Sequence, residues 1–268
     1  MYLMKKKYEI TEEFLQLNDM QFHQIRALKD FGNVKKGDLG GYVQHSGNLS
    51  QEGECWISKN AKVYGDAKIY DNAIIEGNVL ITNSAKIHDN AFIYNGIMDK
   101  RLVIYDNAEI YGNTHIFGNG KINGNVKIFG NTLINAFNYL SITDSASIGF
   151  EYYSILLNAN LLLISKNAKI CGCVGIYEQT LRLGKNALIK NSNDVIVSKS
   201  IGSRLDRTTF YRGSDGLNYA LTGCFNGTLD ELTEAVNNTH KNNYICRNEY
   251  LNTIDYAKKM LDMYKKKK

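Results

Sequence analysis

The chain has 268 residues, 44% hydrophobic and 22% charged, which is the balance of a folded domain and not of a disordered one. Proline is absent, 23 glycines stand beside an excess of asparagine, and no apolar run approaches the roughly 18 to 20 residues of a membrane span; collagen-like, proline-rich and membrane-spanning helical classes are excluded. The net charge of +5 is mild and much of it sits in Lys265 to Lys268, while five scattered cysteines and a start, Met1 to Ile10, without an apolar stretch point to a reducing cytoplasm.

Residues 1–40 read as a cap: a short polar helix or turn over Thr11 to Leu17, a strand over Gln24 to Lys29, then the turn Gly37 to Val43 into a first coil. From Cys55 onward the chain advances in sixes, as in Ala61-Lys-Val-Tyr-Gly-Asp66, Ala67-Lys-Ile-Tyr-Asp-Asn72 and Ala73-Ile-Ile-Glu-Gly-Asn78. Each hexad carries a small residue, a polar one, an aliphatic, an outward residue, then a pair drawn from Gly, Asn and Asp. Alternate strand residues share a face, so a short strand buries the small and aliphatic positions. The Gly/Asn/Asp pair tolerates the tight backbone of a corner. Three hexads close one coil, which stacks Ile69 on Ile87, Ile75 on Ile93, and the outward Tyr111 over Phe129. The frame is interrupted at Ile97 to Arg101 and drifts at Ala136 to Tyr139, Phe150 to Leu161 and Thr180, where loops or bulges are expected.

After Ile201 the hexads stop. Thr208 to Arg212 and Leu217 to Leu221 flank Gly213-Ser-Asp-Gly216 and predict a β-hairpin. Thr228-Leu-Asp-Glu231 is a capping box that opens a helix to about Asn238. Leu251, Ile254, Ala257 and Leu261 mark the apolar face of a second helix. The expected fold is mainly β, a hexapeptide solenoid over 41–201 with an N-terminal cap over 1–40 and a hairpin-plus-helices cap over 202–268.

The hexads resemble those of the hexapeptide-repeat proteins, which implies a left-handed parallel β-helix and, commonly, a homotrimer. One departure is that Tyr or Phe follows the aliphatic residue where members of that group often place Gly. Arg26 to Phe31, Gly37 to Val43, Asn48 to Gly53, Trp56, Ile201 to Arg204, Gly223 to Thr228 and Thr239-His240 are further similar to an uncharacterised bacterial and prophage class. That resemblance brings no established activity.

The best-known hexapeptide-repeat proteins are acyltransferases using acyl-CoA and a histidine base. Here His88 and His115 fall on outward positions, where surface histidines are expected, and neither Ile97 to Arg101 nor Ala136 to Tyr139 holds one. An acyltransferase is therefore the alternative to a non-enzymatic binding protein without catalytic residue, cofactor or metal. Cys171-Gly-Cys173 lacks the second ligand pair of a zinc site. Lysines interleaved with acids argue against nucleic acid. Tyr64, Tyr70, Tyr94, Tyr105, Tyr111, Phe117 and Phe129 form a candidate surface for a protein partner or for self-association as a dimer or trimer, with mutual stacking as the competing explanation. If the C-terminal cap folds back, Ser203, Arg204, Thr228 and His240 line a pocket for a small anion or nucleotide. The prophage resemblance implies a phage-encoded inhibitor of bacterial defence acting in the host cytoplasm.

Overall fold

The computed structural model describes residues 6–17, 19–96, 100–202 and 205–265. Its body is a parallel β-solenoid of about eight turns. Three inward ladders run its length, each built from the aliphatic residue of every third hexad. One runs from Leu49 through Ile69 and Ile87 to Ile189, a second from Ile57 through Ile75 and Ile93 to Ile176, and a third from Val43 through Ile81 and Ile104 to Leu183. Ile69, Ile75, Ile81, Ile87 and the corner alanines Ala67, Ala73 and Ala85 are fully buried. The expected register, Ile69 on Ile87 and Ile75 on Ile93, is the one observed.

The corners explain the asparagines. Asp71 and Asp89 adopt left-handed φ of 56° and 55°, which short polar side chains tolerate. Their carboxylates accept the backbone N–H of the next coil, Asp89 N to Asp71 at 3.3 Å and Gly112 N to Asp89 at 3.0 Å. Along a neighbouring edge, carboxamides form a continuous chain from Asn72 to Asn90 to Asn113 to Asn131, with links of 3.0 to 3.1 Å. The aspartates replace water for backbone N–H groups that a tight corner leaves unpaired, while the asparagines satisfy one another.

Interruptions lengthen coils without breaking the ladders. Ile87 pairs with Ile110, five residues further along than the eighteen-residue step from Ile69 to Ile87. Residues 97–99 of that interruption lie outside the described residues. At Ala136 to Tyr139 the expected bulge is present as a register shift against Ala159 and Leu161. At Thr180 no loop forms: the residue lies inside the strand Lys169–Leu183 and pairs with Leu161. Likewise Ser154–Ile164 is one strand, so only the start of the Phe150 to Leu161 drift leaves the ladder.

The N-terminal segment departs from expectation. Tyr8–Leu17 is a strand, not a helix or turn, and it pairs antiparallel with Met20–Ala27, which in turn pairs with Leu39–Val43. A bulge between Ile10 and Phe14 sets a step of four residues against a step of two on the partner strand, and Ile10, Phe14 and Leu17 have helix-like spacing in the sequence. Lys7 is fully buried beneath this hairpin, its Nζ donating to the carbonyls of Glu52, Gly53 and Cys55 and lying 3.1 Å from Cys55 Sγ.

At the other end the parallel coils stop at Leu188–Asn191. Val195–Ile201, placed by its alternation in the repeat, is instead the first strand of a four-stranded antiparallel sheet with Asp206–Arg212, Asn218–Thr222 and Phe225–Thr228. Alternation is common to both kinds of strand, so the pattern alone does not choose the pairing partner. One face of this sheet puts Tyr211 and Tyr219 against the solenoid core. The other packs Phe210 and Ala220 against α1 (Leu229–Thr239) and α2 (Tyr244–Lys265) through Leu232, Val236, Ile254, Ala257 and Leu261. The expected hairpin, capping box and second helix are all present. Among the described residues no helix is long and apolar enough to cross a membrane.

Candidate functional site

Outward side chains on each solenoid face fall into columns, because residues flanking a core isoleucine repeat once per coil. On the Ile69 face the residue after the core position is Ser50, then Tyr70, His88, Tyr111, Phe129 and Gly149. Four of these rings form one stack. Tyr70 and His88 lie 4.6 Å apart at 9°, His88 and Tyr111 5.0 Å at 1°, and Tyr111 and Phe129 5.3 Å at 10°. At the far end Phe129 lies across Gly149, where a Cβ would come within 2.6 Å of its ring.

His88 is the centre of this column, and sequence reasoning missed it as such. The signal was its place in the same hexad slot as Tyr70. Its Nδ1 is 3.2 Å from Asp89 and 4.0 Å from Asp71, and its Nε2 is 3.6 Å from Glu109. Burial first, then the carboxylates of Glu109, Asp71 and Asp89, push the Tyr70 phenol upward. Asp89 is held below the usual carboxylate range: burial opposes this, but hydrogen bonds from His88 and Gly112 outweigh it. Asp71, His88 and Asp89 come close enough to share a cation, with ligand atoms within 4.8 Å. Their oxygens already accept the corner N–H groups named above, which accounts for the arrangement without an ion.

The column before the core residue reads Lys68, Lys86, Glu109 and Lys127. Lys127 pairs with Glu109 at 3.4 Å. At the near end, a groove of about 500 Å³ opens over Tyr70, lined by Ser46, Leu49, Ser50, Gln51, Lys68 and Lys86.

The seven sequence-predicted aromatics do not form one surface. Tyr70, Tyr111 and Phe129 belong to the stack. Tyr64 and Tyr105 lie on the Ile81 face, where Tyr64 meets Phe22 of the N-terminal hairpin edge-on at 5.3 Å. Tyr94 and Phe117 lie on the Ile75 face, 6.0 Å apart, beside Phe92. There the column before the core position is Ile74, Phe92, His115, Leu133 and Leu156, apolar except at His115, and the sequence reading passed over it. Its signal was a second apolar residue in hexads such as Ala91-Phe-Ile-Tyr94.

Of the C-terminal candidates, Thr228 and His240 stand at opposite ends of one helix. Thr228 is the N-cap of α1, accepting from Glu231 N at 3.2 Å, while His240 is the C-cap of the same helix. Eleven helical residues between them set the two about 18 Å apart. His240 stacks on Tyr250 at 5.5 Å and lines a cleft of about 270 Å³ with Asp206, Thr222 and Cys224. Ser203 and Arg204 lie outside the described residues. Among the other histidines, His45 caps the short helix Ser46–Asn48, and His23 Nδ1 lies 3.3 Å from the Thr11 carbonyl.

No protein-family model matches the chain, and no curated protein matches it in sequence.

Proposed function

We propose that this is a non-enzymatic binding protein that works through protein–protein contacts on the Ile75 face of its solenoid. The supporting observation is the column Ile74, Phe92, Leu133 and Leu156, interrupted by His115 and flanked by Tyr94, Phe117 and, beyond Asn135 and Asn158, Tyr177, of which Tyr94 and Tyr177 are 39% and 65% exposed. A sheet face pairing aliphatic and aromatic side chains in adjacent columns is the composition of an interface core. The left-handed hexapeptide-repeat class, a phage origin, a cytoplasmic site of action and inhibition of a bacterial defence system belong to the same reading. The six-residue period supports a hexapeptide repeat, the resemblance to that group supports the left hand, and the prophage resemblance supports the others. A second copy of the chain, as dimer or trimer, is the simplest occupant of this face.

Native mass spectrometry of the purified protein tests the reading. The expected result is an oligomer, or a stoichiometric complex with one other polypeptide, that dissociates in Phe92→Glu/Leu133→Glu while the melting temperature of the solenoid is kept. A wild-type monomer without a bound polypeptide, or an assembly indifferent to both charges, overturns it.

A further inference from the structure

The aromatic stack on the Ile69 face stops one ring short of the groove. Leu49 bridges Ile69 in parallel, and Ser50 N–H donates to the Ile69 carbonyl at 2.9 Å. Ser50 therefore occupies the slot that Tyr70, His88, Tyr111 and Phe129 fill in the following coils. Rungs of a sheet lie about 4.8 Å apart, and the rings of the stack are 4.6 to 5.3 Å apart. The rung above Tyr70 thus lacks a ring, and Ser50, whose hydroxyl accepts from Glu52 N–H at 3.0 Å, leaves that slot open to the groove. The opposite end is closed by Phe129 lying on Gly149.

Beside this gap stand two lysines. Lys68 and Lys86 are direct register partners on adjacent rungs, an arrangement of like charges that costs stability unless something neutralises it. Among the described residues neither ammonium is within ion-pair distance of a carboxylate, whereas Lys127 in the same column is paired with Glu109. Lys68 precedes Tyr70 by two residues on the same side of the strand, so its root lies about 6.6 Å from that of the tyrosine. A sugar spans such an interval between a planar ring and a phosphate. The groove volume of about 500 Å³ falls within the range of small-molecule sites.

We propose that this groove binds a nucleotide, with the base stacked on the free face of Tyr70 as a fifth member of the column and the phosphate held between Lys68 and Lys86. The site uses a different face from the protein-contact reading and stands independently of it. Stacking supplies a sequence-tolerant grip, because every base has a π-face, and the lysine pair supplies the preference for a phosphorylated ligand.

Isothermal titration of the purified chain at low salt with AMP, GMP, CMP and UMP, and with adenosine and inorganic phosphate as separate arms, is the test. At least one nucleotide is expected to bind more tightly than adenosine or phosphate alone, and to weaken as salt rises. Ser50→Phe, which supplies the missing ring from the chain itself, is expected to abolish binding and to keep or raise the melting temperature. Lys68→Gln/Lys86→Gln, at exposed positions, is expected to weaken binding at least tenfold and serves as the deciding variant if Ser50→Phe folds poorly. Absence of binding by all four nucleotides at millimolar concentration overturns the proposal. So does binding of phosphate alone with equal affinity, or nucleotide binding that survives the lysine double substitution.

Discussion

The Ile69 and Ile75 faces are built from the same hexad, yet they treat their outward aromatics in opposite ways. On the Ile69 face Tyr70, His88, Tyr111 and Phe129 lie within 10° of parallel with their neighbours and cover one another. On the Ile75 face Phe92 and Phe117 are tilted at 53°, Tyr94 meets Phe117 at 62° and the parallel pair Phe92 and Tyr94 is 6.4 Å apart, while the companion column is apolar except at His115. The difference lies in how many rings follow one another and how they lie. On the Ile69 face four successive coils offer rings that lie parallel, whereas on the Ile75 face Tyr94 and Phe117 share a slot between Glu76 and Asn135 and meet edge-on. Where a ring is followed by Asn135 and Asn158, as beyond Phe117, the stack fails and apolar surface remains for something else.

Both faces share one core, and the largest effect comes from breaking it. Ile87 is fully buried directly beneath His88 in the chain, between Ile69 and Ile110. Ile87→Asp places an unpaired charge there, at a cost expected to exceed about 4 kcal/mol. The expected outcome is loss of soluble, cooperatively melting protein, measured by circular dichroism. A soluble variant with an unchanged melting temperature would show that the register is wrong and that the two faces are misassigned.

Of intermediate size is the cost of interrupting the stack. His88→Ala removes two parallel ring contacts, each worth about 0.5–1.5 kcal/mol, together with the Asp89 hydrogen bond. Its melting temperature should fall by several degrees. His88→Phe, which keeps the stacking, should recover most of that loss. Tyr94→Ala on the Ile75 face should cost less than about 1 kcal/mol, because its ring contacts are tilted or distant. Equal losses at the two positions would erase the distinction between a self-satisfied face and an open one.

Much of this was legible in the sequence, and the failures have physical causes. The period of six with a buried aliphatic fixes ladder and register, since a slip of one residue would turn every isoleucine outward. The capping box at Thr228 and the apolar face through Ile254, Ala257 and Leu261 were local signals and held. The helix or turn expected over Thr11 to Leu17 is a strand because the spacing of Ile10, Phe14 and Leu17, with Glu12 and Glu13 between, has helical period while a bulge at those residues hides the strand pairing. A single pocket with Thr228 and His240 fails on helix geometry that was available in advance: a helix from Leu229 to about Asn238 holds its two caps apart. The split of the seven aromatics among three faces follows from three hexads per coil, which puts Tyr64, Tyr70 and Tyr94 on different faces, and the five-residue interruption then aligns Tyr70 through His88 with Tyr111. What no pattern shows is ring orientation, which depends on packing between coils.

The smallest effect expected is on alkaline stability, and it separates the faces by their phenols. Tyr70 is stacked on His88, with Lys68 and Lys86 in the adjacent column and Glu109, Asp71 and Asp89 around the histidine. Burial and then these carboxylates raise its phenol above the ordinary value of 10.0. A raised acid keeps its proton longer in the folded chain than in the unfolded one, so above pH 10 the unfolded state binds fewer protons and stability falls as pH rises. The contribution is whole below the unfolded value and is lost as pH climbs through the folded one. Tyr8 acts in the same direction at the N-terminal end, where burial pushes its phenol up to about 12 and its hydroxyl donates to the Leu49 carbonyl at 2.6 Å. The test is therefore a difference: chemical denaturation of wild type and Tyr70→Phe at pH 8 and pH 11. Tyr70→Phe keeps the ring and loses the titrating group, so its stability should decline less over that interval. An equal decline would mean that the stack shields the Tyr70 hydroxyl too little to bias its proton, and that the Ile69 face is held together by ring contact alone.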